Sequence, residues 1–200
     1  MKLLFPLATA LLLACAVGCN APVEKAPAPP IPDAIAAPEA AINPFVGTGG
    51  HGHTFPGATV PFGMVQLSPD SRLEGWDGCG GYHFTDSVLY GFSHTHLSGT
   101  GVSDYGDILL MPLTGETQWD NGSENGPDSG YASRFDKNTE VAEAGYYKAN
   151  LTDYNITAEL TATARVGLHR YAFPADAEPK VMLDLHHRDR PFALIFGTHT

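Results

Sequence analysis

The sequence predicts an all-β fold, an antiparallel β-sandwich, and three observations carry that prediction. Short apolar runs recur at residues 60–67, 88–92, 108–113, 146–151, 181–185 and 192–196, each bounded by Gly, Pro, Asn or Asp. From Ile156 to Leu168 every even position is apolar, whereas the odd positions are Thr, Glu, Arg or Gly. That alternation is the period of a strand with one face buried. No stretch beyond residue 60 carries the 3.6-residue periodicity of an amphipathic helix.

Before these strands come two segments that do not belong to the fold. Met1-Lys2 and the apolar run 3–17 have the charged start and short apolar middle of a secretory signal, and the run is shorter than the roughly 20 residues a bilayer span needs. Residues 1–18 are therefore set apart as a leader. They end in Ala16-Val17-Gly18-Cys19, which is similar to the lipobox of bacterial lipoproteins. Cys19 is the expected lipid attachment, and ordinary cleavage among the small residues 14–18 is the alternative. Residues 19–42 are rich in Pro and Ala with almost no bulky apolar side chain, the composition of a stiff, extended tether. The domain proper is expected over 43–200.

Within it, 60–67, 88–92 and 108–113 read as successive strands, and 119–129 (WDNGSENGPDS) as a polar surface loop. Residues 146–151 form the next strand. The long alternation from Ile156 then changes phase, because Tyr171 and Phe173 are odd-numbered while Arg170 takes an even position. A long, curving strand region is expected, with a bulge, bend or turn near 168–170. Residues 181–185 and 192–196 complete the series. With no polar tail or cap after the last run, the domain is expected to be incomplete and to leave an open sheet edge.

The 200 residues are 43% hydrophobic, enough for one substantial core. A net charge of −11 repels nucleic acid and anionic lipid, so membrane contact is expected only through the N-terminal anchor, and a neutral ligand is the natural partner. If Cys15 leaves with the leader and Cys19 carries lipid, Cys79 is the one thiol left and no internal disulfide can form. No phosphate-cradling GxxxxGK motif is present.

Residues 43–112 concentrate chemistry: 14 of the 22 glycines and five of the nine histidines lie there. His51 and His53, like His94 and His96, would point the same way on extended backbone. Four imidazoles, or three with Cys79, suit zinc, but no HExxH or CxxC framework accompanies them, and hydrogen bonding to backbone or to ligand hydroxyls is the favoured role. Trp76, with Asp77 beside it and Gly75 and Gly78 on either side, can offer a flat apolar plane to a sugar while the carboxylate accepts its hydroxyls. Cys79 has His83 nearby as a base, although a small buried hydrophobe is the better reading. Asp104 and Asp107 beside Tyr105 resemble turn residues. Asp70, Glu74, Asp77 and Asp104 supply carboxylates, yet no pair among them marks a glycosidase acid and base.

Three blocks, INPFVGTGGHGHTFPGATVPFGMVQLSPD, GWDGCGGYHFTDSVLYGFSHTHLSGTGVSDYGDILLMP, and AGYYKANL followed by ITAELTATARVGLHRYAFP, closely resemble the N-terminal domain of glycoside hydrolase family 92, the bacterial exo-α-mannosidases, many of them exported and many trimming N-glycans. The resemblance runs from Ile42 to Thr200. It implies a supersandwich-like β-sandwich packed on a C-terminal (α/α)6 barrel, inversion at the anomeric carbon, and a calcium ion that helps distort the mannose. The general acid, the general base and the calcium ligands come mainly from the barrel, which this sequence lacks, so no catalytic or metal-ligating residue is expected within it. The N-terminal loops wall the mannose pocket, which implicates His51, His53, Phe55, Trp76, Cys79, Tyr82, His94 and His96, with Trp76 as the wall facing the leaving sugar. Ala144-Gly145 stands where the family tends to have Pro-Gly. The resemblance thus implies the leader and pocket-shaping part of a mannosidase, inactive alone. The alternative is a non-catalytic carbohydrate- or metal-binding module using the same loops.

Overall fold

Hairpins build this fold, and turn residues decide where each one reverses. The computed structural model describes residues 38–187, over which eleven strands and three short 3-10 turns occur and no α-helix. β1 (Ala58–Thr59) pairs with β2 (Gln66–Asp70), Ala58 opposite Leu67. The strand expected over 60–67 is mostly the turn between them. Pro61 has no N–H to offer a ladder, Phe62 sits at φ 58°, and the Gly63 N–H donates back to Val60 O at 2.9 Å.

The run 88–92 also divides, into β3 (Val88–Leu89) and β4 (Gly91–Ser93). Gly91 has φ 147°, and a Cβ there would lie 2.6 Å from Leu109 Cδ2, so only glycine lets the chain leave one sheet and enter another. β5 (Leu109–Leu113), β6 (Ser133–Arg134), β7 (Val141–Glu143) and β8 (Tyr146–Leu151) follow. Ala144-Gly145 makes the two-residue turn between β7 and β8, with Gly145 at φ 76°.

The 156–168 alternation reverses rather than curves. β9 (Ile156–Ala162) and β10 (Gly167–Ala172) are the two arms of a hairpin, Ala162 opposite Gly167. Thr163 turns the chain: its N–H donates to Val166 O at 2.9 Å, and its Oγ1 accepts from the Val166 N–H at 3.1 Å. Ala164 and Val166 are exposed, so their apolar character extended the pattern without any burial behind it. The odd-numbered Tyr171 and Phe173 pack on the core because they belong to the returning arm. β11 (Lys180–Asp184) is the last described strand; the run 192–196 lies outside the described residues.

Every strand pairing is antiparallel. The order is β1-β2-β4-β5-β11 in one sheet and β10-β9-β8-β7 in the other, with β3-β6 as a separate ribbon. The sheets face each other across β9, which packs on β1, β2 and β5. Leu67, Phe92, Leu109 and Met111 meet Tyr147, Leu151, Ile156 and Leu160 in the shared core, the sandwich arrangement. The Glu140 carboxylate reaches into this core with its partners. Tyr82 and Tyr147 donate to Glu140 at 2.8 and 2.7 Å, and Lys137 Nζ reaches Glu140 at 3.0 Å while lying 4.5 Å from the centre of the Phe135 ring. Burial, with Glu140 adding to it, pushes both phenols well above their usual range.

Candidate functional site

Three glycine-rich loops meet at one end of the sandwich: 47–54, 72–80 and 97–101. They are stitched by backbone, Gly78 N–H to Gly52 O at 3.3 Å and Gly99 N–H to His53 O at 2.8 Å. The fit leaves no room for side chains, since a Cβ on Gly52 would fall 1.9 Å from Gly47 O. His83 holds the first loop from below, its Nε2 donating to Gly50 O at 3.0 Å. His83 is thereby committed and does not serve Cys79. The Cys79 thiol is buried and donates to Thr100 O at 2.9 Å.

On this frame stands Trp76, 62% exposed. Its indole lies against Gly101, where a Cβ would come within 2.2 Å of Cη2, and the His53 ring meets it edge-on at 4.7 Å between centroids. His53 Nε2 is buried without a hydrogen-bond partner. His51 Nδ1 pairs with Asp77 Oδ1 at 2.8 Å, closing the first loop onto the Trp76 loop, and that hydrogen bond holds the Asp77 carboxyl below its ordinary value. Exposed aromatic plane, carboxylate and imidazoles are thus brought together.

The remaining sequence-predicted site residues go elsewhere. Tyr82 is fully buried on Glu140 and is a core residue rather than a pocket wall. His94 and His96 do not point the same way, because the segment after β4 is not extended through them. His96 turns inward: Nδ1 donates to Gln66 O at 2.7 Å, and Nε2 lies 3.2 Å from Asp70 Oδ1 and 3.1 Å from Ser93 Oγ. Phe55 stacks obliquely on it, 5.1 Å between ring centres. Among the described residues no three His, Cys, Asp or Glu side chains converge to hold a metal ion. The zinc tetrad considered from His51, His53, His94, His96 and Cys79 is therefore not formed.

Two clusters escaped the sequence reading because their members are far apart in the chain. The first is the buried set Asp70, Ser93, His96 and His187. Ser93 Oγ donates to Asp70 Oδ2 at 2.5 Å, and His187 Nε2 lies 3.6 Å from Oδ1. Burial acts to raise the Asp70 pKa, but His96 and His187 outweigh it and hold the carboxyl well below the usual range. The second is His94 with His169 and Tyr171. His94 Nδ1 donates to Ile108 O at 2.7 Å, so its neutral ring accepts at Nε2. His169 Nε2 donates there at 3.2 Å, which leaves His169 Nδ1 to accept from the Tyr171 hydroxyl at 2.6 Å. Burial, and then the neighbouring His94, bring the His169 pKa down to about 4.

Beside the Trp76 loop opens a polar cleft of about 770 Å³, with Arg72, Glu74, Asp86, Tyr90 and His187 in its lining. Arg72 is fixed there by both carboxylate oxygens of Asp86. A glycine-framed aromatic next to a polar cleft suits a polyhydroxylated ligand better than an apolar one.

Residues 41–193 match the model of the glycosyl hydrolase family 92 N-terminal domain. The chain belongs to glycoside hydrolase family 92. It is 43% identical to a family 92 α-mannosidase of Bacteroides thetaiotaomicron whose structure was solved with mannoimidazole bound, with a TM-score of 0.72 over 74% of this chain and 20% of that one. An inverting family 92 mannosidase of Bacteroides thetaiotaomicron is 30% identical, with a TM-score of 0.60 over 72% of this chain and 19% of that one. An uncharacterized secreted glycosidase of Arthroderma benhamiae is 32% identical over 151 residues, 72% of this chain and 19% of its own length. The chain thus spans about one fifth of the length of the family 92 relatives it matches. The oxygen-rich shell of six to eight ligands that calcium requires is not offered by a carboxylate cluster among the described residues of this domain.

Proposed function

We propose that this chain is the N-terminal part of an exported, calcium-dependent, inverting exo-α-mannosidase acting on mannose-containing glycans, and that it shapes the substrate pocket without performing the hydrolysis. The observation that carries the reading is Trp76. In a family 92 N-terminal domain it stands exposed on three interlocked glycine loops, with Asp77 and His51 beside it as hydroxyl partners. Such a plane stacks on the C–H face of a sugar, and the adjoining cleft has the polarity to receive more of a glycan.

The general acid, the general base and the calcium ligands then belong to a C-terminal (α/α)6 barrel of the same longer chain. The reading is supported by the fraction of its relatives that this chain spans. Calcium, held in that barrel, would supply electrostatic help in distorting the mannose. This domain's own residues bind, orient and exclude water. Export is supported by the relative named as secreted. Residues 1–18 as leader, Cys19 as lipid attachment and 19–42 as tether complete the proposal, placing the enzyme on a bacterial membrane.

The test is release of mannose from an α-mannoside by the full-length enzyme, with the anomer of the first-formed product read by NMR and the reaction repeated in a calcium chelator. Inverted product, loss on chelation, and no turnover by residues 20–200 alone are expected. Turnover by 20–200 that disappears when one of its own acids is substituted would overturn the division of labour. The alternative, a non-catalytic carbohydrate-binding module, predicts glycan binding that needs Trp76 but no hydrolysis by any form of the protein.

A further inference from the structure

We propose that His94 and His169 form an open binding site for an imidazole-seeking divalent transition ion, Zn²⁺ or Cu²⁺, where β10 meets the segment after β4. Their Nε2 atoms lie 3.2 Å apart. Two imidazole nitrogens bound to one tetrahedral ion at about 2.0–2.1 Å stand roughly 3.3 Å from each other, so the pair already has the required bite. Both rings are also held from behind. His94 Nδ1 is anchored on Ile108 O at 2.7 Å and His169 Nδ1 on the Tyr171 hydroxyl at 2.6 Å, the outer-shell arrangement that orients metal-binding histidines.

Room for the ion comes from Gly167. A Cβ on it would lie 3.0 Å from His94 Cδ2 and 3.3 Å from His94 Nε2, although its φ is not in the left-handed region and the backbone does not demand glycine. The absent side chain serves space beside Nε2 rather than a turn.

The proton count balances. Without metal, one hydrogen lies between the two Nε2 atoms, carried by His169. When the ion binds, that hydrogen passes to His169 Nδ1, which donates to the Tyr171 oxygen, so that the Tyr171 hydroxyl changes from donor to acceptor in that contact. Both rings stay neutral and no proton is released.

No third His, Cys, Asp or Glu joins the pair among the described residues, so water fills the remaining positions and affinity is lower than in a closed four-ligand site. Nitrogen donors select late transition ions and reject Ca²⁺ and Mg²⁺, which separates this site from the calcium of the mannosidase reading. Because the ion would clip β10 to the loop after β4 only in the folded state, it stabilises the domain.

The experiment is a calorimetric titration of the full-length protein, stripped of transition ions and kept in excess Ca²⁺, with Zn²⁺ alone. One Zn²⁺ site is expected that His169→Gln removes and His51→Asn leaves intact. Tyr171→Phe, which keeps the packing and removes only the outer hydroxyl, should weaken it about tenfold. Gly167→Ala should weaken it by crowding Nε2. If His169→Gln fails to fold, the Cu²⁺ electron paramagnetic resonance spectrum of the unaltered protein decides: coupling to two imidazole nitrogens supports the site, and its absence overturns it. Equal Zn²⁺ binding by the unaltered protein, His169→Gln and Tyr171→Phe would overturn it as well.

Discussion

His51 with Asp77 and His96 with Asp70 are the same chemical pair in two settings. The first sits at the loop tip, 2.8 Å apart, with the imidazole side chain 89% and the carboxylate 36% exposed. The second is 3.2 Å apart with both side chains fully buried. Water screens the first, so changing it costs little. The second has no water to fall back on, so removing one partner takes a buried interaction from the other that solvent does not replace. One glycine-rich stretch of sequence therefore builds both an exposed loop tip and the polar lock beneath it. Residue type alone does not say which is which.

The sharpest way to break this comparison is to remove Asp70. Asp70→Ala leaves His96 and His187 facing an empty place, and a loss of about 3–5 kcal/mol is expected, read as a lowered urea midpoint. Asp77→Ala, at the loop tip, should leave that midpoint almost unmoved. Similar losses from both would mean that the loop-tip pair is shielded in solution.

Acid titration should give the next largest effect, and its sign follows from His169. Unfolded, the ring takes a proton near its ordinary value of 6.5; folded, it does so only near 4. Between these values the unfolded chain holds more protons, so stability falls as pH falls through that window, by on the order of 3 kcal/mol. Below it the Asp70 carboxylate, lowered in the fold, adds a further loss as it is forced to protonate. Unfolding free energies measured from pH 7 down to pH 4 should show the first limb, and His169→Gln should flatten it. A limb that survives in His169→Gln would assign it to another group.

These two effects also show what could be read from the chain. Alternation found β8 and the first arm of the β9-β10 hairpin because burial there does follow the period of two: Tyr147, Ala149 and Leu151, like Ile156, Ala158 and Leu160, are buried. It overran the turn because Ala164 and Val166 kept the period with no core behind them. Trp76 and Asp77 were legible as an exposed loop, since glycines on either side announce one. The Asp70–His96–His187 lock and the His94–His169 pair were not, because each spans strands whose register only the folded sheets reveal. Tyr82 was misplaced for the complementary reason: its partner Glu140 is 58 residues away.

A smaller effect is expected at Trp76, and on binding rather than stability. Exposed as it is, Trp76→Ala should change the unfolding free energy by no more than about 0.5 kcal/mol. Mannoside affinity in the full-length enzyme should fall about tenfold, the equivalent of about 1.4 kcal/mol. Gly101→Ala reaches the same outcome indirectly. Its φ is not left-handed, so the backbone accepts alanine, but the new Cβ falls 2.2 Å from the indole and must displace it. Both variants should raise KM more than they lower kcat. Unaltered KM in both would remove Trp76 from the substrate surface.

The smallest expected effect is the one that sharpens the comparison most. His51→Asn deletes the exposed imidazole from the Asp77 pair while keeping a group able to hydrogen-bond across the loops. Because His51 is 89% exposed, the stability lost should be under about 1 kcal/mol. Most of that difference should vanish in 1 M salt, where the screening length contracts to about 3 Å. The backbone stitch from Gly78 to Gly52 and from Gly99 to His53 is untouched, so the loops should stay in register and Trp76 fluorescence should be unchanged. A loss of about 2 kcal/mol or more that persists in 1 M salt would place this pair with the buried lock, and the distinction between exposed loop tip and structural core would fail where it is easiest to measure.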